Sequence, residues 1–427
     1  MRDGLCVGIL PRVAKTLIKT SEHVAVQPKA IWLDCSKRRG GFVQKQVAWL
    51  DTLPVHGNRQ LKTGQLFKAL LLSFFDPLAR SLRTIEDNGS FKGRLDLNRL
   101  ARSTTADALA ALDASQLKPI IDELLEQVPA VKQSDDLACI TKCIIAADGT
   151  YMTTLSDVAW ALVHTRRNGR KQGQVRANVQ MDTTTWTPRV VSISGDGSTQ
   201  DDESSEPAAL ARELLSDVLY VLDRNFLDFG LLHALSEKNN DFVLRVKANA
   251  PSFVVLQDQK LSDQDRAAGV SSDQLVQLSG MGAPAGTLRL VTIQTVNRKN
   301  EPETIRLLSS LIDTQNITAT VIGLIYRKRW QIELFFKWLK TFVNMDHLLS
   351  TSRNGITFQF YVAVIGVLLM YVQSGKQVSI YALAALARLA RGQDTFDQAM
   401  ATIARREKER ESNRLRQAKK RAAASQA

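Results

Sequence analysis

Tyr326, Arg329, Glu333 and Lys340 stand in the run VIGLIYRKRWQIELFFKWLK (321–340), which has no Gly or Pro after Gly323 and is rich in helix formers. Drawn as one helix at about 100° per residue, the run places these four polar groups within an arc of about 60°, with Lys337 beside it. Leu324, Ile325, Ile332, Leu334, Phe335, Phe336, Trp338 and Leu339 lie away from the arc. A helix apolar around most of its girth is a buried helix, so the polar stripe faces something that needs it. Taken alone, Arg329 and Glu333 are a common i,i+4 ion pair. Two upstream carboxylates change that reading. Asp148 closes CIIAAD (143–148) and Asp223 closes VLYVLD (218–223), each a short apolar strand. A single Asp after a strand is usually a turn former, but functional groups collect at strand ends in α/β sheets. Carboxylate oxygens are hard ligands suited to Mg²⁺ or Mn²⁺. Two such ions about 3.5–4 Å apart can clamp the attacking and leaving oxygens of an in-line phosphoryl displacement. The sequence carries no P-loop, no covalent-nucleophile motif and no zinc-site spacing.

The elements that must hold these groups follow from the hydrophobic period. Residues 1–55 have Arg, Lys, Gly and Pro interrupting every apolar run and are left unassigned. Residues 56–135 read as a small helical bundle, with GQLFKALLLSFF and QLKPIIDELLEQV apolar at three- and four-residue spacing. The bundle is expected to hold duplex DNA. Residues 136–249 give the order β-β-β-α-β-α-β, a mixed sheet flanked by helices, so the predicted class is α/β. Its strands include VRANVQM and RVVSIS, and a basic link, HTRRNGRKQG, joins the first two strands. Residues 250–315 read as a β-rich insertion projecting from that domain. Residues 316–395 return to the core through the signature helix and two apolar helices, and 396–427 form a basic tail.

The 427 residues carry a formal net charge of +13. That excess points to a polyanion such as nucleic acid. From Arg405 to Ala427 nine Lys/Arg stand against three Glu, so the tail supplies nearly half of it. Four cysteines without a histidine cluster favour reduced thiols over a disulfide framework or a zinc site. FQFYVAVIGVLLMYVQ (358–373) is about a turn short of a membrane span and reads as a buried core helix. No signal peptide is visible, and a cytoplasmic, nucleoid-associated protein is expected.

The spacing Tyr326-x2-Arg329-x3-Glu333-x6-Lys340 resembles the Y-x2-R-x3-E-x6-K signature of bacterial insertion-sequence DDE transposases of the IS-four group. The Asp-Gly-Thr at 148–150 resembles the family's first-Asp segment. VLDRNFLDF resembles its second, with Asn225 and Phe226 where Gly and Tyr are more usual. The resemblance covers about residues 65–375. It implies a ribonuclease-H-like, retroviral-integrase-like core and divalent metal, two Mg²⁺ or Mn²⁺ ions in the family's usual fashion, held by Asp148, Asp223 and Glu333. It also implies DNA contacts from Tyr326, Arg329 and Lys340, with Lys337 on the same side. The implied activity is cut-and-paste transposition by a homodimer on terminal inverted repeats, through strand cleavage and transfer to target DNA. A nuclease that cuts without joining and a silent DNA-binding descendant are the alternatives. A hairpin intermediate is implied by the family alone.

Overall fold

Val218–Leu222 is buried at all five positions, as expected of a strand covered on both faces. The computed structural model of the chain describes residues 42–54, 61–74, 81–87, 100–128, 134–154, 158, 160–165, 171–195, 205–247, 252–297, 301–342, 348–374, 385, 388 and 394–424. Residues 1–41 with Cys6 and Cys35, the centre of the basic link at 166–170 and most of the apolar run at 379–390 lie outside these.

Helices α1 (Phe42–Leu50), α2 (Thr63–Phe74), α3 (Leu82–Asp87), α4 (Arg102–Ala111) and α5 (Lys118–Glu126) come first. Strands β1 (Cys143–Thr153), β2 (Leu162–Thr165), β3 (Lys171–Asp182) and β4 (Thr187–Ser194) follow. Then α6 (Glu206–Arg212), β5 (Val218–Leu222), α7 (Phe229–Glu237) and β6 (Asp241–Val246) alternate. Next come β7 (Phe253–Asp258), α8 (Asp263–Ala267), β8 (Val270–Leu278), β9 (Leu288–Val296) and β10 (Pro302–Ser309). Helices α9 (Ala319–Arg327), α10 (Trp330–Phe342), α11 (Arg353–Ser374) and α12 (Phe396–Ala424) complete the order.

The chain divides into two compact units. One holds the described residues of Ala130–Tyr151 and Arg176–Phe335. Strands β1, β5 and β6 are parallel neighbours there. Such pairing needs crossovers, which α6 and α7 supply. Alternate residues face opposite sides. Ile145, Tyr220, Leu222 and Leu244 pack with Leu210 of α6 and Leu231 and Leu235 of α7. Ile144, Leu219, Val221 and Val243 pack with Ile322 and Ile325 of α9 on the other face. Antiparallel β3 and β4 ahead of parallel β1, β5 and β6 make this the mixed α/β, ribonuclease-H-like order.

The β-rich segment corrects the expectation of a projecting insertion. β10 pairs antiparallel with β6, and β9, β8 and β7 continue outward, so the segment extends the central sheet. Open hydrogen-bonding groups along β6 explain the joining, since a buried strand edge must be paired. The extension also grips the signature helix. Asp265 of α8 accepts from Thr320 N at 2.9 Å and from Thr320 Oγ1 at 2.7 Å. Fully buried Arg289 on β9 donates to Ile317 O at 2.6 Å, just before the Thr318 cap of α9.

The second unit holds the described residues of Val26–Pro129, Met152–Val175 and Phe336–Ala427. α1 falls in the segment left unassigned by sequence and packs on α2. Its Lys45 and Gln46 donate to Glu123 of α5 at 3.1 and 2.6 Å. α11 lies against α2, α4 and α5, with Val362, Ala363, Val364 and Ile365 all fully buried. The sequence division, which kept 316–395 together in the core, therefore differs from the structural one after Phe335. The physical reason is that α11 is apolar on every side and serves as cover for those leading helices. β2, unforeseen in sequence, pairs with β3 over Leu162–Thr165 and Lys171–Gln174. α12 is helical, with Ala399 and Ile403 buried and its basic side chains exposed where described. No helix among the described residues is long and apolar enough to cross a membrane.

Candidate active site

Asp148 does not end its strand. β1 runs on to Thr153, a correction to the expected strand-end position. What places Asp148 is register. Ala146 of β1 lies opposite Val221 of β5, so Asp148 and Asp223 each come two residues further along two parallel neighbours. Neighbouring strands lie about 4.8 Å apart. Asp223 follows directly on β5 and starts the turn Arg224–Phe226 without spending its carboxylate on a cap.

The signature run also departs from the expected single helix. α9 ends at Arg327 and α10 starts at Trp330. Between them Arg329 N bonds to Tyr326 O, Gln331 N to Lys328 O and Ile332 N to Arg329 O, the tighter i,i+3 pattern. No Gly or Pro marks the break, and nothing local in the sequence announces it. The polar stripe survives it. Arg329 lies over the Tyr326 ring at 5.8 Å and donates to Glu333 at 2.5 Å. Its other terminal nitrogen is 3.7 Å from Asp148 Oδ2. Of the apolar set, Ile325, Ile332, Phe335, Phe336 and Leu339 are buried, whereas Leu334 is exposed. Lys337 is exposed and Lys340 half-buried; both fall in the second unit.

Charge and burial set the electrostatics. Burial pushes Asp148 up to about 7, against the opposing pull of the Gly149 N–H and Arg329, and Glu206 and Asp223 add to the rise. Burial works to lower the Arg329 guanidinium, but Tyr326, Glu333 and Asp223 outweigh it and hold it above its ordinary value. Burial raises the Tyr326 phenol as well. Perturbed groups gathered at one place mark a candidate functional site.

Asp148, Asp223, Tyr326, Arg329 and Glu333 thus form one neighbourhood. Among the described residues no three acidic, histidine or cysteine side chains already stand close enough to share an ion. Arg329 lies between Asp148 and Glu333 instead. The donor set still fits a hard divalent cation: carboxylate oxygens throughout, no thiolate or imidazole. Among the described residues, Arg329 Nε is buried without a hydrogen-bond partner.

Residues 140–369, just over half of the chain, match the family described as the transposase DDE domain. The chain belongs to that family. It is similar to a putative transposase, y4zB, of Sinorhizobium fredii, at 28% identity over 48% of this chain and 55% of that one. It is also similar to a putative transposase for insertion sequence element IS4SA of Synechocystis, at 27% identity over 35% and 39% of the two chains. A probable transposase for element IS5377 of Geobacillus stearothermophilus matches at 27% over 39% and 44%. The matches span about half or less of the length of these relatives. A piggyBac transposase synaptic complex with hairpin DNA has a TM-score of 0.39 and 13% identity, over 85% of this chain and 77% of that one.

Two residues beside Asp148 and Gly149 were not singled out in the sequence. Glu206 opens α6 and lines a crevice with Asp148, Asn178, Gln180 and Phe226. Fully buried Arg176 of β3 donates to Asn178 at 2.8 Å and to Ser205 O at 2.9 Å. A Glu in a first helical turn looks like any acid placed there for the helix dipole. An Arg inside an alternating strand was the available signal. Gly149 explains how these groups fit. A Cβ there would lie 2.9 Å from Arg176 Cδ and 3.0 Å from Glu206 Oε1. Gly149→Ala is therefore expected to lower stability by about 1–3 kcal/mol through overpacking. Urea unfolding of the two proteins measures it, and an unchanged midpoint would contradict the close packing.

Proposed function

We propose that the chain is a DNA transposase whose Asp148, Asp223 and Glu333 hold divalent metal, Mg²⁺ or Mn²⁺, for cleavage of element ends and transfer to target DNA. The observation that carries this is Arg329 standing between Asp148 and Glu333, with Asp148 on a strand whose register with β5, paired as far as Ala146 and Val221, runs on toward Asp223. Family membership supplies the chemistry that such a group serves. A divalent ion here supplies charge neutralisation on the phosphoryl oxygens and a readier oxygen nucleophile. The chain's own residues do the rest. Asp148 and Asp223 present oxygens from adjacent strands, and their rigid parallel pairing fixes the spacing between them. Arg329, between Asp148 and Glu333, shields those two acids from one another. As a phosphate arrives, the guanidinium turns its planar donors toward it, because Arg and phosphate form strong paired hydrogen bonds. Tyr326, beneath that guanidinium, positions the terminal strand. Lys337 and Lys340 neutralise backbone phosphates further along α10.

The same reading assigns duplex holding to the leading helices and a phosphate-backbone contact to the exposed cations of α12. The working form is a homodimer on paired ends, acting with two ions in the cytoplasm at the nucleoid. The test uses purified protein, a labelled duplex carrying the terminal repeats that flank its own coding element, a target plasmid and Mg²⁺. Metal-dependent nicking followed by joined product supports transposition. Nicking without joining supports a nuclease instead, and binding without cleavage refutes catalysis.

Arg329→Lys separates the guanidinium from a simple positive charge. An ammonium is a point charge and cannot span two carboxylates in the same fork. Cleavage is expected to fall roughly a hundredfold, the usual scale for losing one electrostatic donor. Gel-based cleavage rates at saturating Mg²⁺ check this, and a Lys variant at the wild-type rate would refute the fork's role.

A further inference from the structure

We propose that Arg176 is a positioning residue for strand cleavage, a buried brace that holds the Asp148–Gly149 backbone in place. The proposal rests on the reading of Asp148 as a catalytic acid. It begins with the strand VRANVQM (175–181), apolar and polar in alternation. An antiparallel strand of that pattern ordinarily turns its polar side to water. In β3 both faces are covered. Val175, Ala177, Val179 and Met181 are buried on one, and Arg176 and Gln180 are buried on the other. Burying polar side chains is costly unless hydrogen bonds replace those to water. Here the bonds go to the two ends of α6. Arg176 Nη2 donates to Ser205 O, just ahead of the helix, at 2.9 Å. Gln180 Nε2 donates to Glu213 O, just past it, at 2.7 Å.

A second bond fixes the guanidinium from its own strand. Arg176 Nε donates to Asn178 Oδ1 at 2.8 Å, and Asn178 Nδ2 donates to Ser194 Oγ of β4 at 2.7 Å. A head held at two points keeps its stem still. That stem passes under Gly149: a Cβ there would lie 2.9 Å from Arg176 Cδ and 3.2 Å from Arg176 Cγ. Gly149 N in turn donates to Asp148 Oδ1 at 2.8 Å. The peptide resting on the Arg176 stem is thus the one that orients the Asp148 carboxylate. The plainer role is that Arg176 only secures the fold. That role predicts lost stability, with cleavage per folded molecule unchanged.

Single-turnover nicking of the labelled element-end duplex separates the two. The full chain is held in excess at saturating Mg²⁺, which gives a maximal rate and the protein concentration for half that rate. Arg176→Met keeps an unbranched stem and loses both anchoring bonds. Its maximal rate is expected to fall about thirtyfold, the scale on which small misplacements slow a reaction, with the half-saturating concentration within about twofold of wild type. Arg176→Lys, which keeps the stem and a donor but not the fork, should recover part of the rate. Gly149→Ala should slow nicking about tenfold in the wild type, where its methyl meets an anchored stem. With Arg176→Met the stem can give way, so the double variant should nick about as fast as Arg176→Met alone, as residues in contact are non-additive. Leu235→Ala, at a fully buried core position of α7, is the control for lost stability and should keep the wild-type maximal rate below its melting range. A folded Arg176→Met protein at the wild-type maximal rate overturns the proposal. So does an equal loss in Leu235→Ala, or losses that simply multiply in the double variant. Should Arg176→Met not fold, Arg176→Lys carries the test, and a wild-type rate for it is equally fatal. Asp148→Asn cleaving as wild type would sink the catalytic reading and this one with it. An inactive Asp148→Asn beside fully active Arg176 variants would sink this one alone.

Discussion

Asp148→Asn protein is expected to bind the element ends as wild type does and to cleave them at least a thousandfold more slowly, about 4 kcal/mol of barrier. The amide keeps the shape of the carboxylate. It also keeps an oxygen to accept from Gly149 N, the bond that Asp148 Oδ1 makes at 2.8 Å. What goes is the negative charge and the hard anionic ligand. The fold should not suffer. Burial holds the Asp148 carboxyl at about 7 in the folded chain, above the ordinary carboxylate value. A folded-state value raised in this way means that ionisation opposes folding above the unfolded value. Removing the ionisable group removes that opposition, so the Asn protein should melt at the same temperature or higher near pH 7 to 8. Parallel measurements of end binding, cleavage and thermal midpoint check the three parts together. Cleavage by the Asn protein at the wild-type rate would end the case for Asp148 as a catalytic residue.

The second large effect is structural and lies away from the acids. Asp273→Ala is expected to cost about 3–5 kcal/mol of stability, because it strands a buried charge. Arg289 and Asp273 form a two-pronged pair, with Nε to Oδ1 at 2.8 Å and Nη2 to Oδ2 at 2.7 Å. Their side chains are 1% and 5% exposed, so water cannot take over from the lost partner. Replacing both, as Arg289→Met with Asp273→Leu, should recover most of the loss. The remainder, about 1–3 kcal/mol, is the Ile317 carbonyl left without the Arg289 donor. That carbonyl precedes the cap of the helix bearing Tyr326, so the double variant should lose some cleavage as well. Urea unfolding of the single and double variants decides it. A single variant that costs less than the double one would show that the pair does not work as described.

Much of the site was legible because its chemistry is carried by short local spacings. Tyr326, Arg329, Glu333 and Lys340 announce themselves by interval, and Asp148 and Asp223 by the apolar strands before them. The mixed sheet was legible for a similar reason: β3, β4, β5 and β6 each show their period or their full burial in the residue order. Other features had no local mark. The break between α9 and α10 occurs among ordinary helix formers. The β-rich segment reads the same whether it projects or joins the sheet, since its strands pair edge to edge through backbone groups common to all residues.

From the amino-acid order alone came the family, the three candidate acids and the alternation of strands and helices, because these depend on neighbours within a turn or a strand. Only the folded chain decided that β1 and β5 are parallel neighbours, that Arg329 spans Asp148 and Glu333, and that α11 covers the leading helices. Each of those depends on pairing register and on which buried surface finds which cover, choices made between residues far apart in the chain.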